Sequence, residues 1–101
     1  MPHEPLALPA ELTIYNVADL RRQLLAHAEA HADDEACQLD GASVDQVDAA
    51  GLQLLLSLTR TLSAAGRTLQ LAAPSPLLVE ACEALGLRGP VLGAAAEGAT
   101  A

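Results

Sequence analysis

The spacing of the hydrophobic residues divides the chain into helical and strand-like stretches. From Asn16 onwards, apolar side chains recur every three or four residues, as they do on one face of an α-helix. Asn16 is the candidate N-cap, and the pattern ends near Ala32, before a run of acidic residues. This first helix is predicted to bury one stripe of side chains: Val17, Leu20, Leu24 and Ala28.

A second, longer helix is predicted to start after Asp48, whose carboxylate can accept hydrogen bonds from the free N–H groups of a first turn. The pattern runs to about Ala65 and stops at Gly66, a residue suited to the left-handed conformation that often follows a helix. The predicted core stripe consists of Leu52, Leu55, Leu56, Thr59 and Leu62. Leu54 and Leu58 widen the apolar arc, so either a neighbouring helix covers them or they form an exposed patch for a partner.

A third helix is predicted to open at Ser75-Pro76, with serine as the cap and proline at the first helical position. Its buried face is expected to comprise Leu78, Ala81, Cys82 and Leu85. Gly86 is a typical stop signal, and Leu87 behind it is expected to make an apolar contact.

Short apolar segments flank these helices. Two of them are typical of buried strands: residues 36–40 and residues 68–72. Before the first helix, the apolar residues of 6–14 are interrupted by Pro9, which predicts either a hairpin at a sheet edge or one broken strand. Short strand–helix–strand connections imply parallel strands, so the predicted fold class is α/β.

The length of 101 residues fits one domain with a modest core. We place that domain at residues 1–92. Residues 93–101 carry small side chains with little to bury, and this tail is expected to be poorly ordered.

Composition narrows the classes of partner. A formal charge of −8 would repel phosphate backbones, and an aromatic content of 1% leaves no stacking platform, so nucleic acid is excluded. Because there is neither a secretion signal nor an apolar run long enough to insert into a membrane, we expect a cytoplasmic protein. Cys37 and Cys82 then read as reduced core residues, although the sequence does not exclude a disulfide between them.

Residues with catalytic or metal-binding potential are few. His27 and His31 lie four apart on the first helix, a spacing that could place both on one metal ion, but no third ligand follows at a suggestive distance. The cysteines have no cationic or histidine neighbour in sequence, and no glycine-rich phosphate loop opens a helix. We therefore expect no metal, no cofactor and no enzyme; an enzyme using His27, His31 or Cys82 is the least supported hypothesis.

The start of the second helix is the candidate functional site. Asp48 is followed by Ala49, Ala50 and Gly51, small residues that would leave the helix N-terminus open to close approach by another molecule. The alternative is a plain helix cap whose small residues let helix and strand pack closely. The two interpretations are compatible, and Leu54 is expected at the edge of a binding surface with Ala50 and Gln53.

The chain resembles the STAS domain, a family named for sulphate transporters and anti-sigma factor antagonists. The resemblance covers roughly residues 8–92 and is carried by Leu39-Asp40, Val47-Asp48-Ala49-Ala50-Gly51-Leu52, Gly66-Arg67-Thr68-Leu69, Ser75-Pro76 and Leu85-Gly86-Leu87. Residues 10–17 are most similar to stand-alone bacterial members found beside chemotaxis and partner-switching genes. The resemblance implies a small, mixed, mostly parallel sheet with helices packed mainly on one side, and a non-catalytic role.

In the antagonist branch of this family, a Ser or Thr directly after the aspartate is phosphorylated by the partner, which breaks the complex. Ala49 occupies that phosphosite position here, and because it has no hydroxyl it cannot be phosphorylated. A second departure is Thr13, where many antagonists carry an acidic residue. Ser43, Ser57 and Thr59 are conceivable substitutes, but Ser43 lies several residues before the motif and Thr59 is expected to face the core.

The resemblance thus predicts a protein partner, with the oligomeric state left open. One hypothesis is a regulatory module in partner switching or chemotaxis that docks on a kinase-like or anti-sigma factor-like protein. The other is an accessory subunit that binds the ATPase of a lipid-transport ABC system. The expected partner-binding residues are Thr13, Tyr15, Asn16, Asp48, Ala49, Ala50, Gly51, Gln53 and Leu54.

Overall fold

The computed structural model describes residues 5–86. It contains five strands and three helices in the order β1 (Leu6–Ala7), β2 (Glu11–Leu12), α1 (Val17–Ala30), β3 (Ala36–Asp40), β4 (Gln46–Val47), α2 (Ala49–Ala64), β5 (Thr68–Ala72) and α3 (Pro76–Ala84). The predicted α/β class is confirmed. The proposed domain boundary at residue 92, the tail 93–101 and the expected contact of Leu87 all lie outside the described residues.

The strands form two parallel sheets, one ordered β1-β3-β5 and the other pairing β2 with β4. The resemblance implied a single sheet. Ala7 of β1 pairs with Asp40 of β3, and the next pair is Glu11 of β2 with Gln46 of β4. The segment from Ala7 to Glu11 is thus shorter than the segment from Asp40 to Gln46. The extra residues of the longer segment interrupt the ladder before pairing resumes where the Ala10 carbonyl accepts the Gln46 N–H.

Of the two interpretations of residues 6–14, the hairpin is wrong. β1 and β2 follow each other in the same direction along the chain, and each pairs in parallel with a later strand. A strand broken after Ala7 fits this arrangement, since Pro9 has no N–H to contribute to a ladder.

The local signals around α2 and α3 are confirmed. The Ser75 hydroxyl accepts the Leu78 N–H at 3.2 Å, and Pro76 opens α3 at its first position. Gly66 and Gly86 follow the ends of α2 and α3 with φ of 74° and 70°. One expectation for α3 is wrong: Leu85 is 54% exposed because it comes after the last helical residue and leaves the buried stripe.

The end of α1 is fixed by a residue distant in sequence. The helix ends at Ala30, two residues before the predicted limit. The Arg67 guanidinium donates to the carbonyl oxygens of Ala28, His31 and Asp34 at 2.8–2.9 Å. These carbonyls lie at or just past the end of α1, where helical partners run out, so Arg67 fastens α1 to the start of β5.

Two leucines outside the predicted stripe of α2 pack towards α1. Leu58 is only 4% exposed, and Leu54 is half-buried against the core. Both line a small cleft of about 20 Å³ together with Leu24 and Leu25 of α1. The neighbouring helix therefore covers them, which was one of the two alternatives. The buried positions of α2 are Gly51, Leu52, Leu55, Leu58 and Leu62, while Leu56 and Thr59 are half-buried.

Both cysteines are free thiols in the core, as predicted. Burial raises the pKa of Cys82, and it also raises the pKa of Cys37, where the positive charge of Arg67 opposes the effect. Neither thiol is prepared to act as a thiolate nucleophile. Within residues 5–86 no helix has the length and apolar character needed to cross a membrane.

Candidate functional site

The N-terminus of α2 lies against strand β2 at backbone contact distance. The Asp48 N–H donates to the Leu12 carbonyl at 3.1 Å. A β-carbon added to Gly51 would overlap the Leu12 carbonyl group, coming within 2.6 Å of its carbon atom and 2.8 Å of the Leu12 β-carbon. Only glycine fits at this position. Gly51 is buried, so it offers no surface of its own; the missing β-carbon lets the helix end approach β2 and thereby places its neighbours.

The Asp48 carboxylate joins the helix to a separate turn. One oxygen accepts the Gly51 N–H at 3.1 Å and caps α2, as predicted. The other oxygen accepts the Ile14 N–H at 2.9 Å. The hydrogen bond from Ile14 is the main cause that holds the pKa of Asp48 below its ordinary value; the bonds from Gly51 and Ala50 act in the same direction, and partial desolvation opposes them. Asp48 is therefore a charged anchor at neutral pH.

Residues 13–16 include three of the predicted partner-binding residues, and for that reason we call them the docking turn. The turn is held by its own side chains. The Asn16 amide oxygen accepts the Thr13 N–H at 3.0 Å, and the Asn16 amide nitrogen donates to the Glu11 carbonyl at 2.6 Å. The Thr13 hydroxyl donates to the Glu11 carboxylate and accepts the Tyr15 N–H. Asn16 does occupy the N-cap position of α1, but its side chain makes no capping bond. The predicted N-cap position of Asn16 is confirmed, and a side-chain capping bond is absent because the turn uses both ends of the amide.

The docking turn presents two large apolar side chains to solvent. Ile14 is 64% exposed and Tyr15 is 90% exposed. Across the Ile14–Asp48 hydrogen bond lies the first turn of α2, where Ala49 is exposed and Ala50 is half-buried. The structure thus brings the turn at residues 13–16 and the N-terminus of α2 together.

Two further residues of the predicted site lie on α2. Gln53 is exposed, whereas Leu54 is half-buried and lines the cleft towards α1. Leu54 therefore presents less surface to a partner than Ile14 does.

Sequence reasoning missed Ile14, which it placed at the end of a strand. In the structure β2 ends at Leu12, and Ile14 lies in the turn that follows. A usable signal was present: Thr13 and Asn16 are both residues whose side chains bond nearby backbone groups and favour turns. Two large apolar residues between such turn formers are more exposed than the same residues in a strand.

The conceivable replacement phosphosites differ in accessibility. Ser43 and Ser57 are exposed. Thr59 is half-buried and its hydroxyl donates to the Leu55 carbonyl of its own helix at 2.9 Å. None of the three lies in the docking turn or in the first turn of α2.

His27 in the last turn of α1 and His31 just after the helix lie next to each other. The rings of His27 and His31 lie edge to face with centroids 4.8 Å apart, and Nε2 of His27 is 3.1 Å from the Gln38 carbonyl oxygen. Among residues 5–86 no three metal-ligating side chains gather in one place.

Comparison with known proteins identifies the family of the chain. A protein-family model described as "Mlab, STAS domain" matches residues 3–93. The chain belongs to the STAS-domain family. No curated protein matches the chain.

Family membership gives the general role of this STAS domain. STAS domains are generally non-catalytic modules for protein interaction and regulation. The structure supplies a physical reason for the aspartate–small–small–glycine sequence of this member. Asp48 ties two segments together, and Gly51 permits the backbone approach that makes the tie possible.

Proposed function

We propose that this STAS domain is a regulatory module of the anti-sigma factor antagonist type, acting in partner switching or chemotaxis-linked signalling in a bacterial cytoplasm. It binds a kinase-like or anti-sigma factor-like protein through the docking turn and the first turn of α2. Binding is not controlled by phosphorylation at position 49.

The observation that carries this proposal is the exposure of Ile14 and Tyr15 beside the capped end of α2. Two large apolar side chains on a well-bonded turn can be buried by a partner without first being ordered. That lowers the entropic cost of association. Tyrosine is also among the residues enriched at the centres of protein interfaces.

The absence of a hydroxyl at Ala49 supports permanent availability. A phosphoryl group there would bring nearly two negative charges to an exposed position next to the Asp48 carboxylate. The bulk of this group and the cost of desolvating its charge would oppose docking. Alanine cannot acquire that group, so control has to come from competition between partners or from protein abundance.

The test is photo-crosslinking in the source cell. A photoreactive phenylalanine analogue placed at Tyr15 should capture the partner, which mass spectrometry identifies. The matched control carries the same analogue at Leu77, an exposed apolar residue on α3. A kinase, an anti-sigma factor or a chemotaxis component captured at Tyr15 and not at Leu77 is the expected result.

Other outcomes of the crosslinking separate the alternatives. Capture of an ABC ATPase at Tyr15 would replace the proposal with the accessory-subunit hypothesis, which uses the same surface. No specific product at Tyr15, or equal capture at Leu77, would refute docking at this site.

Charge at position 49 provides an independent test. With the captured partner, Ala49→Glu should weaken binding by about tenfold or more, because it places a bulky charged side chain among the small residues of the interface, where burying the charge is costly. Ala49→Ser adds only a hydroxyl and should bind like the wild type until the partner or its kinase phosphorylates it. Unchanged affinity of Ala49→Glu would place the interface elsewhere.

A further inference from the structure

The docking turn is surrounded by carboxylates. Glu11 accepts the Thr13 hydroxyl, and Asp48 accepts the Ile14 N–H. Asp45 is exposed directly before β4, and its N–H donates to the Ala10 carbonyl at the start of β2. Two acidic side chains thus bond directly to the docking turn, and a third, Asp45, stands at the entry to the strand that pairs with β2.

Positive charge lies elsewhere in the described part of the chain. Arg22 pairs with Asp19 at 2.8 Å, and Arg67 is bound at the far end of α1. Arg21 lines the cleft between α1 and α2, and Arg60 is three turns along α2 from its N-terminus. No ion pair between residues 5–86 includes any of the three carboxylates around the docking turn.

This distribution restricts what can cover Ile14 and Tyr15. An acidic or phosphate-rich surface would be repelled. A second copy of this chain docking by the same face would bring its own three carboxylates against these. The side chains that complement the flanking charge are arginine and lysine, and those that complement the tip are apolar.

We propose that the partner covers the docking turn with an apolar pocket whose rim carries arginine or lysine side chains. This inference rests on the proposed function, since it names the chemistry of the partner at that same site. Ile14 and Tyr15 supply the contact area, while Glu11, Asp45 and Asp48 select and orient the partner by charge.

A titration with a defined peptide tests this chemistry without any partner from the cell. The probe is an N-acetylated, C-amidated peptide of sequence Arg-Leu-Leu-Arg, and the control peptide is Glu-Leu-Leu-Glu. Backbone amide shifts of the isotope-labelled chain are followed by NMR. The basic peptide should shift residues 11–16 and 45–51 in particular, and the acidic peptide should not.

Variants separate local recognition from the general acidity of the chain. Glu11→Gln keeps an acceptor for the Thr13 hydroxyl, and combined with Asp45→Asn it should reduce the shifts by at least about half. Raising NaCl to about 0.5 M, where the Debye length is roughly 4 Å, should act similarly. Glu80→Gln on the exposed face of α3 removes one charge without touching the turn and serves as the matched control.

Three results would overturn the inference: equal shifts with both peptides, equal shifts at the acidic residues 33–35, and full shifts in the double variant. The titration and the crosslinking fail independently. A selective titration with no crosslink at Tyr15 removes the proposed cellular role, and a crosslink with an unselective titration removes the charge preference.

Discussion

The backbone contact between Gly51 and Leu12 can be tested by the substitution Gly51→Ala, because the contact decides whether stability rises or falls. Gly51 lies inside the first turn of α2, where replacement by alanine would ordinarily stabilise a helix by about 1 kcal/mol. Here the added β-carbon would overlap the Leu12 carbonyl group. Both colliding groups are main-chain or directly attached atoms, so no rotamer change relieves the overlap.

The size of the effect follows from these two opposing contributions. Overpacking costs about 1–3 kcal/mol, and the upper end applies where neither partner can rotate away. Subtracting the helix-propensity gain leaves Gly51→Ala destabilised by about 2 kcal/mol. For a domain of this size that corresponds to a fall in Tm of about 8–16 °C. The displaced helix end would also weaken the Asp48–Ile14 bond that holds the docking turn.

Urea denaturation followed by circular dichroism measures the change in stability, with NMR of the Ile14 amide as a local readout. Gly66→Ala is the matched control because a β-carbon there meets no atom within 4 Å, while the positive φ of 74° alone should cost about 1 kcal/mol. If Gly51→Ala were as stable as the wild type or more stable, the close approach of α2 to β2 would be refuted.

Four further changes test other parts of the structure. The pKa of Asp48 is lowered in the folded state, so the carboxylate stabilises the fold above the ordinary carboxyl pKa, and this contribution is lost as pH falls through the lowered value. The difference in urea midpoint between wild type and Asp48→Asn should therefore shrink as the pH is lowered from about 7 to about 3. Arg67→Met keeps much of the aliphatic chain but removes three hydrogen bonds, and it should lower the free energy of unfolding in urea by about 2 kcal/mol. An equal loss in Arg67→Lys would agree with this explanation, because an ammonium group lacks the forked geometry of the guanidinium. Ser75→Ala removes the α3 cap and should cost about 1 kcal/mol, whereas an unchanged midpoint would show that the cap bond contributes nothing. Ala73→Gly relieves a non-glycine residue at φ 49° and should raise stability by about 0.5 kcal/mol, and a loss of stability would contradict strain at this position.

Most of what sequence could predict here is encoded locally. Asp48, Gly66 and Ser75-Pro76 mark helix ends through hydrogen bonds and backbone angles that involve only near neighbours. The same holds for the strand at 36–40, whose apolar pattern needs no knowledge of its partners. These elements were predicted with nearly correct bounds.

The remainder depends on contacts that a local pattern does not contain. β1 and β2 are two residues long and exist because β3 and β4 lie beside them, so their arrangement could not be inferred from residues 6–14 alone. The Asn16 amide can either cap α1 or bond within the turn, and its hydrogen bond to the Glu11 carbonyl holds it in the turn. The fastening of α1 by Arg67 joins positions more than thirty residues apart.

For the candidate site, the sequence predicted Asp48 as the helix cap, followed by small residues. It did not predict that Asp48 also binds the Ile14 N–H, since that bond spans 34 positions along the chain. Consequently Tyr15, the exposed large apolar residue of the predicted set, was expected on the basis of resemblance, and its neighbour Ile14 was not expected.

The parallel pairing of every described strand also has a consequence for synthesis on the ribosome. Each strand pair joins residues more than thirty positions apart, so no pair forms as a local hairpin. During translation, Leu6 cannot pair until Leu39 has been synthesised, and Leu12 cannot pair until Val47 has been synthesised. The docking turn is made early, but its anchor Asp48 and the closely packed Gly51 emerge much later. A nascent chain is therefore unable to present this surface to a partner until residues 48–51 have left the exit tunnel.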